Sequence, residues 1–153
     1  MARLTFQYRL YPNRQQRERL QATLDVCREL YNAGLQERRD AWSSHHKSIG
    51  YVVQAKQLGA IKEIRDDVRA VHSQVLQDVL RRLDKTFQSF FLRVKRRQTP
   101  GCPRFRSKHR YDSFTYPQAG FQLNDRLSLS KIGNIKIKMH RELKGEVKTL
   151  TIK

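Results

Sequence analysis

At Pro100-Gly101 the apolar residues of this chain change their period, and that change limits the folds open to it. Upstream, Val68, Val71, Val75, Val79, Leu83, Phe87, Phe90 and Val94 recur every three or four positions, thickened by Leu76, Leu80 and Phe91. That spacing lays one apolar stripe along a helix and is the strongest periodic signal in the sequence. Downstream, Leu127/Leu129, Ile135/Ile137 and Leu150/Ile152 alternate with polar neighbours, as in strands with one covered face. A chain of 153 residues has room for one ordinary core. The expected class is α+β: one strand, a helical block, then an antiparallel strand set.

The first strand is read from residues 3–11, where Leu4, Phe6, Tyr8 and Leu10 alternate with Arg3, Thr5, Gln7 and Arg9. Pro12 stops it, and Asn13 is a good N-cap with Gln16 at the capping-box position. Leu20, Leu24, Cys27, Tyr31 (or Leu30), Leu35 and Arg38 then mark a long helix that the polar segment 43–50 breaks. A second helix is expected from about Val52 to Ile64, with Val53, Leu58 and Ile61 inward. A third should run from Asp66-Asp67, whose carboxylates suit a helix N-terminus, to near Arg97. Short strands are expected at 113–116, 121–123, 127–129, 135–137 and 147–152. Only these can pair with the lone first strand. The expected organisation is therefore a small β-domain, residues 1–12 and 112–153, interrupted by a helical block at 13–97, with 98–111 as a basic connecting loop. The last strand reaches Lys153 without a tail, which points to a longer parent protein.

Charge is spread unevenly. Residues 85–153 hold 17 Lys and Arg against 4 Asp and Glu, most of the net charge of +18. From Lys85 to Tyr111 there are nine Lys and Arg and no acid. Arg93, Lys95, Arg96 and Arg97 close the long helix, and Arg104, Arg106, Lys108 and Arg110 follow the Pro-Gly bend. A helix C-terminus accounts for one or two cations, not eight. Pro and Gly shape the loop, and Phe105 gives it an apolar face. Shaped, basic and aromatic together imply contact with a polyphosphate strand. Tyr111, Phe114 and Tyr116 fit core positions better than base stacking, and Trp42 fits helix packing.

Catalytic chemistry is not read from these residues. Asp66-Asp67 is explained by its helix start, and His45-His46 lacks further ligands nearby. Cys27 falls on an apolar stripe, and Cys102 has no adjacent base to make it a nucleophile. Two cysteines 75 positions apart fit a reducing cytoplasm and no cysteine zinc site. No apolar run of membrane-spanning length occurs, and no metal or cofactor is expected.

Tyr11-Pro12-Asn13 after the first strand, Tyr31-Asn32 with Leu35 and Arg38, Phe90-Phe91, and Gly101-Cys102-Pro103-Arg104-Phe105-Arg106 with Ser113-Phe114 resemble the N-terminal part of TnpB (OrfB) proteins. These are encoded by bacterial and archaeal insertion sequences and are similar to compact type V CRISPR effectors. The resemblance covers essentially the whole chain. It implies a wedge β-domain interrupted by a helical recognition lobe, gripping guide RNA, the guide–target heteroduplex and a short motif flanking the target DNA. Tyr51, Gln77 and Gln118 fall where such proteins approach the flanking duplex. The family continues into a RuvC-like nuclease and a zinc ribbon, and neither is in this sequence. The expected function is a nucleic-acid-binding fragment of an RNA-guided, transposon-associated DNA endonuclease in a prokaryotic cytoplasm, close to the nucleoid. The expected partners are guide RNA, target DNA and a RuvC nuclease domain in cis or in trans; the alternatives are a general basic RNA-binding protein and one subunit of a split nuclease, completed by a second RuvC-bearing chain.

Overall fold

Asn13 begins the first long helix as its side chain predicts. Its Oδ1 accepts from the Gln16 amide at 2.8 Å, and its own amide donates to Gln16 Oε1 at 3.0 Å. The computed structural model describes residues 3–153. It begins with strand β1 (Arg9–Tyr11) and helix α1 (Arg14–His45). Three short helices, α2 (Tyr51–Lys56), α3 (Leu58–Ile64) and α4 (Asp66–Arg69), lead into α5 (Ser73–Lys95). Five strands follow: β2 (Phe114–Tyr116), β3 (Phe121–Leu123), β4 (Arg126–Leu129), β5 (Gly133–Lys138) and β6 (Leu150–Ile152). The architecture is α+β, with all strand pairs antiparallel. Among the described residues no helix is long and apolar enough to cross a membrane.

The two long helices pack side by side, burying Cys27, Leu30, Tyr31 and Leu35 of α1 with Val75, Leu76, Val79, Leu80 and Leu83 of α5. Gly34 leaves no room for a side chain, since a Cβ there would stand 2.7 Å from Leu83 Cδ2. Arg38, on the same stripe, is buried beside Asp84 at 3.0 Å and donates to Gln54 at 2.9 Å. That pairing explains how a cation occupies an apolar position.

β1 is the outer strand of a four-stranded sheet in the order β1-β5-β4-β3. Leu10 lies opposite Ile137, and Leu127 opposite Ile135, so the apolar alternation of three strands falls on one face. β2 pairs with β6 in a separate two-stranded sheet. Arg82 on α5 anchors β2, donating to the Ser113 carbonyl at 2.8 Å and Thr115 Oγ1 at 2.7 Å. The Tyr116 hydroxyl reaches the Ser130 carbonyl at 3.1 Å and so ties the two sheets. The His72 ring lies 5.5 Å from Tyr116. Gly120, at φ 91°, leaves room for it, since a Cβ there would come 2.7 Å from His72 Nε2. Phe114, Tyr116, Leu127, Ile135 and Ile152 join the helical residues in one continuous core.

Five expectations are corrected. The first strand is three residues rather than nine, because β5 ends at Lys138, the partner of Arg9, and offers residues 3–8 nothing to pair with. The second helix is two short ones, divided at Gln57, near where Gln54 and Gln57 both reach Glu37 of α1. A helix does start at Asp66-Asp67, but it ends at Arg69 and the long helix begins anew at Ser73, because His72 is extended (φ −58°, ψ 135°). The later strands form two sheets rather than one set. Trp42 is 58% exposed, its ring edge-on to His46 at 5.4 Å, so it is not buried between helices.

Candidate nucleic-acid interface

The basic segment is built on a helix end. After Lys95, Arg97 turns left-handed at φ 54°. The Arg97 amide bonds the Val94 carbonyl at 3.1 Å, and the Gln98 amide bonds the Arg93 carbonyl at 3.0 Å. This pair of bonds is a Schellman closure, here with arginine where glycine is usual. It directs the chain back across α1.

The returning loop is clamped at several points. Asn32 Nδ2 donates to the Arg106 carbonyl at 2.9 Å, and the Arg106 amide donates to Asn32 Oδ1 at 2.8 Å. Asn32 thus binds the loop backbone as a neighbouring strand would. Arg39 donates to the Pro103 carbonyl and lies 4.8 Å from the centre of the Phe105 ring. Pro103 is buried, and Arg93 donates to the Gly101 carbonyl at 3.3 Å. Arg106 stands over Tyr31 at 5.9 Å. A cleft of about 200 Å³ remains between loop, α1 and α5, bordered by Arg93, Arg104, Phe105, Arg106 and Arg110.

Of the residues expected to touch nucleic acid, those five meet at the cleft. Lys95, Arg96, Arg97 and Lys108 are exposed on the flanking helix end and turn. Tyr51, Gln77 and Gln118 do not join this cluster. Gln77 sits 16 residues before Arg93 on α5, about 24 Å along the axis. Tyr51 is half-buried with Arg81 5.2 Å from its ring centre, and Gln118 is exposed between β2 and β3. A shallower hollow of about 570 Å³ follows α1, but Glu37 and Asp40 on its walls make it a poor seat for a polyanion.

The six ion pairs among the described residues use Arg14, Arg38, Arg65, Arg69 and Arg82. None includes a cation from 93–110. Asp66 and Asp67 are taken up by Arg69 and Arg65, as expected of structural acids. Cys27 is fully buried and its thiol is pushed up to about 12, mainly by desolvation. The Tyr111 hydroxyl is buried with no hydrogen-bond partner, and burial raises its pKa as well. No three His, Cys, Asp or Glu side chains come together as metal donors among the described residues.

Two groups of residues escaped the sequence reading. Asn32 and Arg39 position the loop, and only a contact across 74 and 64 positions reveals it. The second group is a row of cations on the outer face of the four-stranded sheet. Arg9 lies opposite Lys138, and Arg126 opposite Lys136, with exposed Tyr11 also beside Lys136. Like charges directly across strands oppose folding, so this face stores repulsion that an anion would relieve. The alternation of Lys136 and Lys138 with Ile135 and Ile137 was the available signal.

Residues 1–47 match a family described as a helix-turn-helix domain, that of OrfB from IS605. Within that range the described residues hold β1 followed by one uninterrupted helix, α1. The Escherichia coli (strain K12) protein named "Putative RNA-guided DNA endonuclease InsQ" is 30% identical over 152 residues, covering 96% of this chain and 36% of that protein. A Streptomyces pristinaespiralis protein named "Putative RNA-guided DNA endonuclease" is 30% identical over 130 residues, covering 82% of this chain and 31% of its own length. The chain therefore spans about a third of the length of these curated relatives. The chain thus carries a match to the OrfB helix-turn-helix domain over residues 1–47 and, over most of its length, is similar to about a third of two proteins named as RNA-guided DNA endonucleases.

Proposed function

We propose that this chain is the nucleic-acid-holding part of a TnpB-like RNA-guided DNA endonuclease, binding guide RNA and target DNA. Its β-strands serve as the wedge, the block at 13–97 as the recognition lobe, and 98–111 as the basic connection between them. Cleavage belongs to a RuvC-bearing region in cis or in trans, and this chain supplies grip rather than cutting. Tyr51, Gln77 and Gln118 approach the duplex flanking the target, away from the arginine cluster. The setting is a prokaryotic cell, at the nucleoid where the target lies.

One observation carries the reading: eight cations between 93 and 110, none ion-paired among the described residues, stand on or beside a loop that Asn32 and Arg39 hold in place. Cations fixed before binding lose less freedom when they meet phosphate. Most sequence reading falls to pairing by the guide, so contacts from this chain are to backbone.

Salt dependence is the test. Affinity for structured RNA and for duplex DNA should fall steeply with salt, by roughly 0.9 log units per log unit for each B-DNA phosphate neutralised. Replacing Arg104, Arg106 and Lys108 together by Ala should weaken binding and flatten that slope, with circular dichroism unchanged. An unaltered slope removes the loop from the interface.

A further inference from the structure

The cleft beside the loop differs from the rest of the basic surface. Its border brings four arginines from two separate segments, Arg93 from α5 and Arg104, Arg106 and Arg110 from the loop, around one space of about 200 Å³. Tyr31 and Thr86 also line it, and the Tyr31 hydroxyl donates to Thr86 Oγ1 at 3.3 Å. No carboxylate is among the lining residues. Arg93 spends one donor on the Gly101 carbonyl. A guanidinium has five N–H donors, so most of its capacity remains. The Arg106 backbone is fixed on both its amide and its carbonyl by Asn32.

We propose that this cleft is a discrete pocket for a single phosphate group of a nucleic-acid strand, with Arg93, Arg104, Arg106 and Arg110 as its donors and Asn32 as the residue that holds the Arg106 backbone in place. The inference rests on the nucleic-acid reading above and goes further. Most cations of the chain meet a strand as a diffuse field, whereas this group takes one phosphate with directed hydrogen bonds. Planar guanidinium forks suit that geometry, which lysines do not supply. The space is large enough for a phosphate and too small for a base pair. A strand seated here is held at one fixed register point, and its remaining contacts are slack.

Inorganic phosphate is the probe, titrated into the 153-residue protein at constant ionic strength against chloride, with arginine Nε–Hε resonances as the readout. Arg104 and Arg106 should shift saturably in phosphate and not in chloride. Arg104→Gln, which removes an exposed side chain and spares the fold, should weaken phosphate binding by about tenfold, the worth of one charge-assisted hydrogen bond. Asn32→Ala should weaken it as well while leaving the far-ultraviolet spectrum unchanged. Arg14→Gln, at the exposed start of α1, should leave it untouched. Shifts that stay linear, match those in chloride, or respond equally to Arg14→Gln would overturn the pocket. Binding of long RNA, measured in parallel, separates the two ideas. Salt-sensitive RNA binding without saturable phosphate binding sinks the pocket alone, and loss of both sinks the nucleic-acid reading too.

Discussion

Arg97 occupies a backbone conformation that glycine adopts freely and other residues resist. At φ 54° its Cβ crowds the following carbonyl, a cost of roughly 1 kcal/mol. The Schellman bonds to Val94 and Arg93 hold it there regardless. Arg97→Gly should therefore raise the free energy of unfolding by about 1 kcal/mol in urea denaturation while lowering affinity for nucleic acid at low salt. The opposite signs are the informative part. If stability and affinity both rise, Arg97 faces away from the strand and the left-handed arginine has no role in binding. Phe105 is a different case at the same scale. One face of its ring is covered by Arg39, so its first role is to seat the loop, with stacking on a base limited to what remains exposed.

Helix α5 was legible because packing and periodicity agree along it: Val75, Val79 and Leu83 are each almost wholly buried. The break before it was not, since Val68 and Val71 keep the same spacing and the same burial across the turn at His72. A pattern of inward residues records which side faces the core, and stays silent on whether the backbone between them is continuous. β1 shows the complementary failure. Its alternation extends to residue 4, yet a strand is only as long as its partner, and Leu4 is 69% exposed. At the site, the cations of 93–110 were readable from composition, whereas the Asn32 clamp joins residues 74 apart and leaves no local trace. Gly34 was likewise unmarked, although it sets how closely α1 and α5 approach. Gly34→Val would drive a side chain into Leu83 and Gln54. Overpacking there should destabilise by about 1–3 kcal/mol, visible as a lowered urea midpoint, and the poorer helix propensity of Val adds to it. An unchanged midpoint would mean the helices separate at little cost.

The whole molecule carries +18, and strand register adds like charges directly opposite one another on the outer sheet face. Six ion pairs act against it, but five are at least partly exposed, and such pairs contribute about 0–1 kcal/mol each. Screening should therefore relieve more repulsion than it removes attraction. The expected outcome is a Tm that rises with sodium chloride from low ionic strength to about 0.15 M, where the Debye length has fallen to about 8 Å. Heparin at fixed ionic strength should raise it further, because a polyanion that binds only the folded chain stabilises it by mass action. A chain of this size gains about 2–4 °C per kcal/mol. Replacing Lys136 and Lys138 by Gln removes one member of each opposed pair. That variant should melt above the parent at low salt and converge with it at high salt, with less response to heparin. A Tm that falls as salt is added would assign the balance to the ion pairs instead, and the outer sheet face would lose its standing as a surface waiting for an anion.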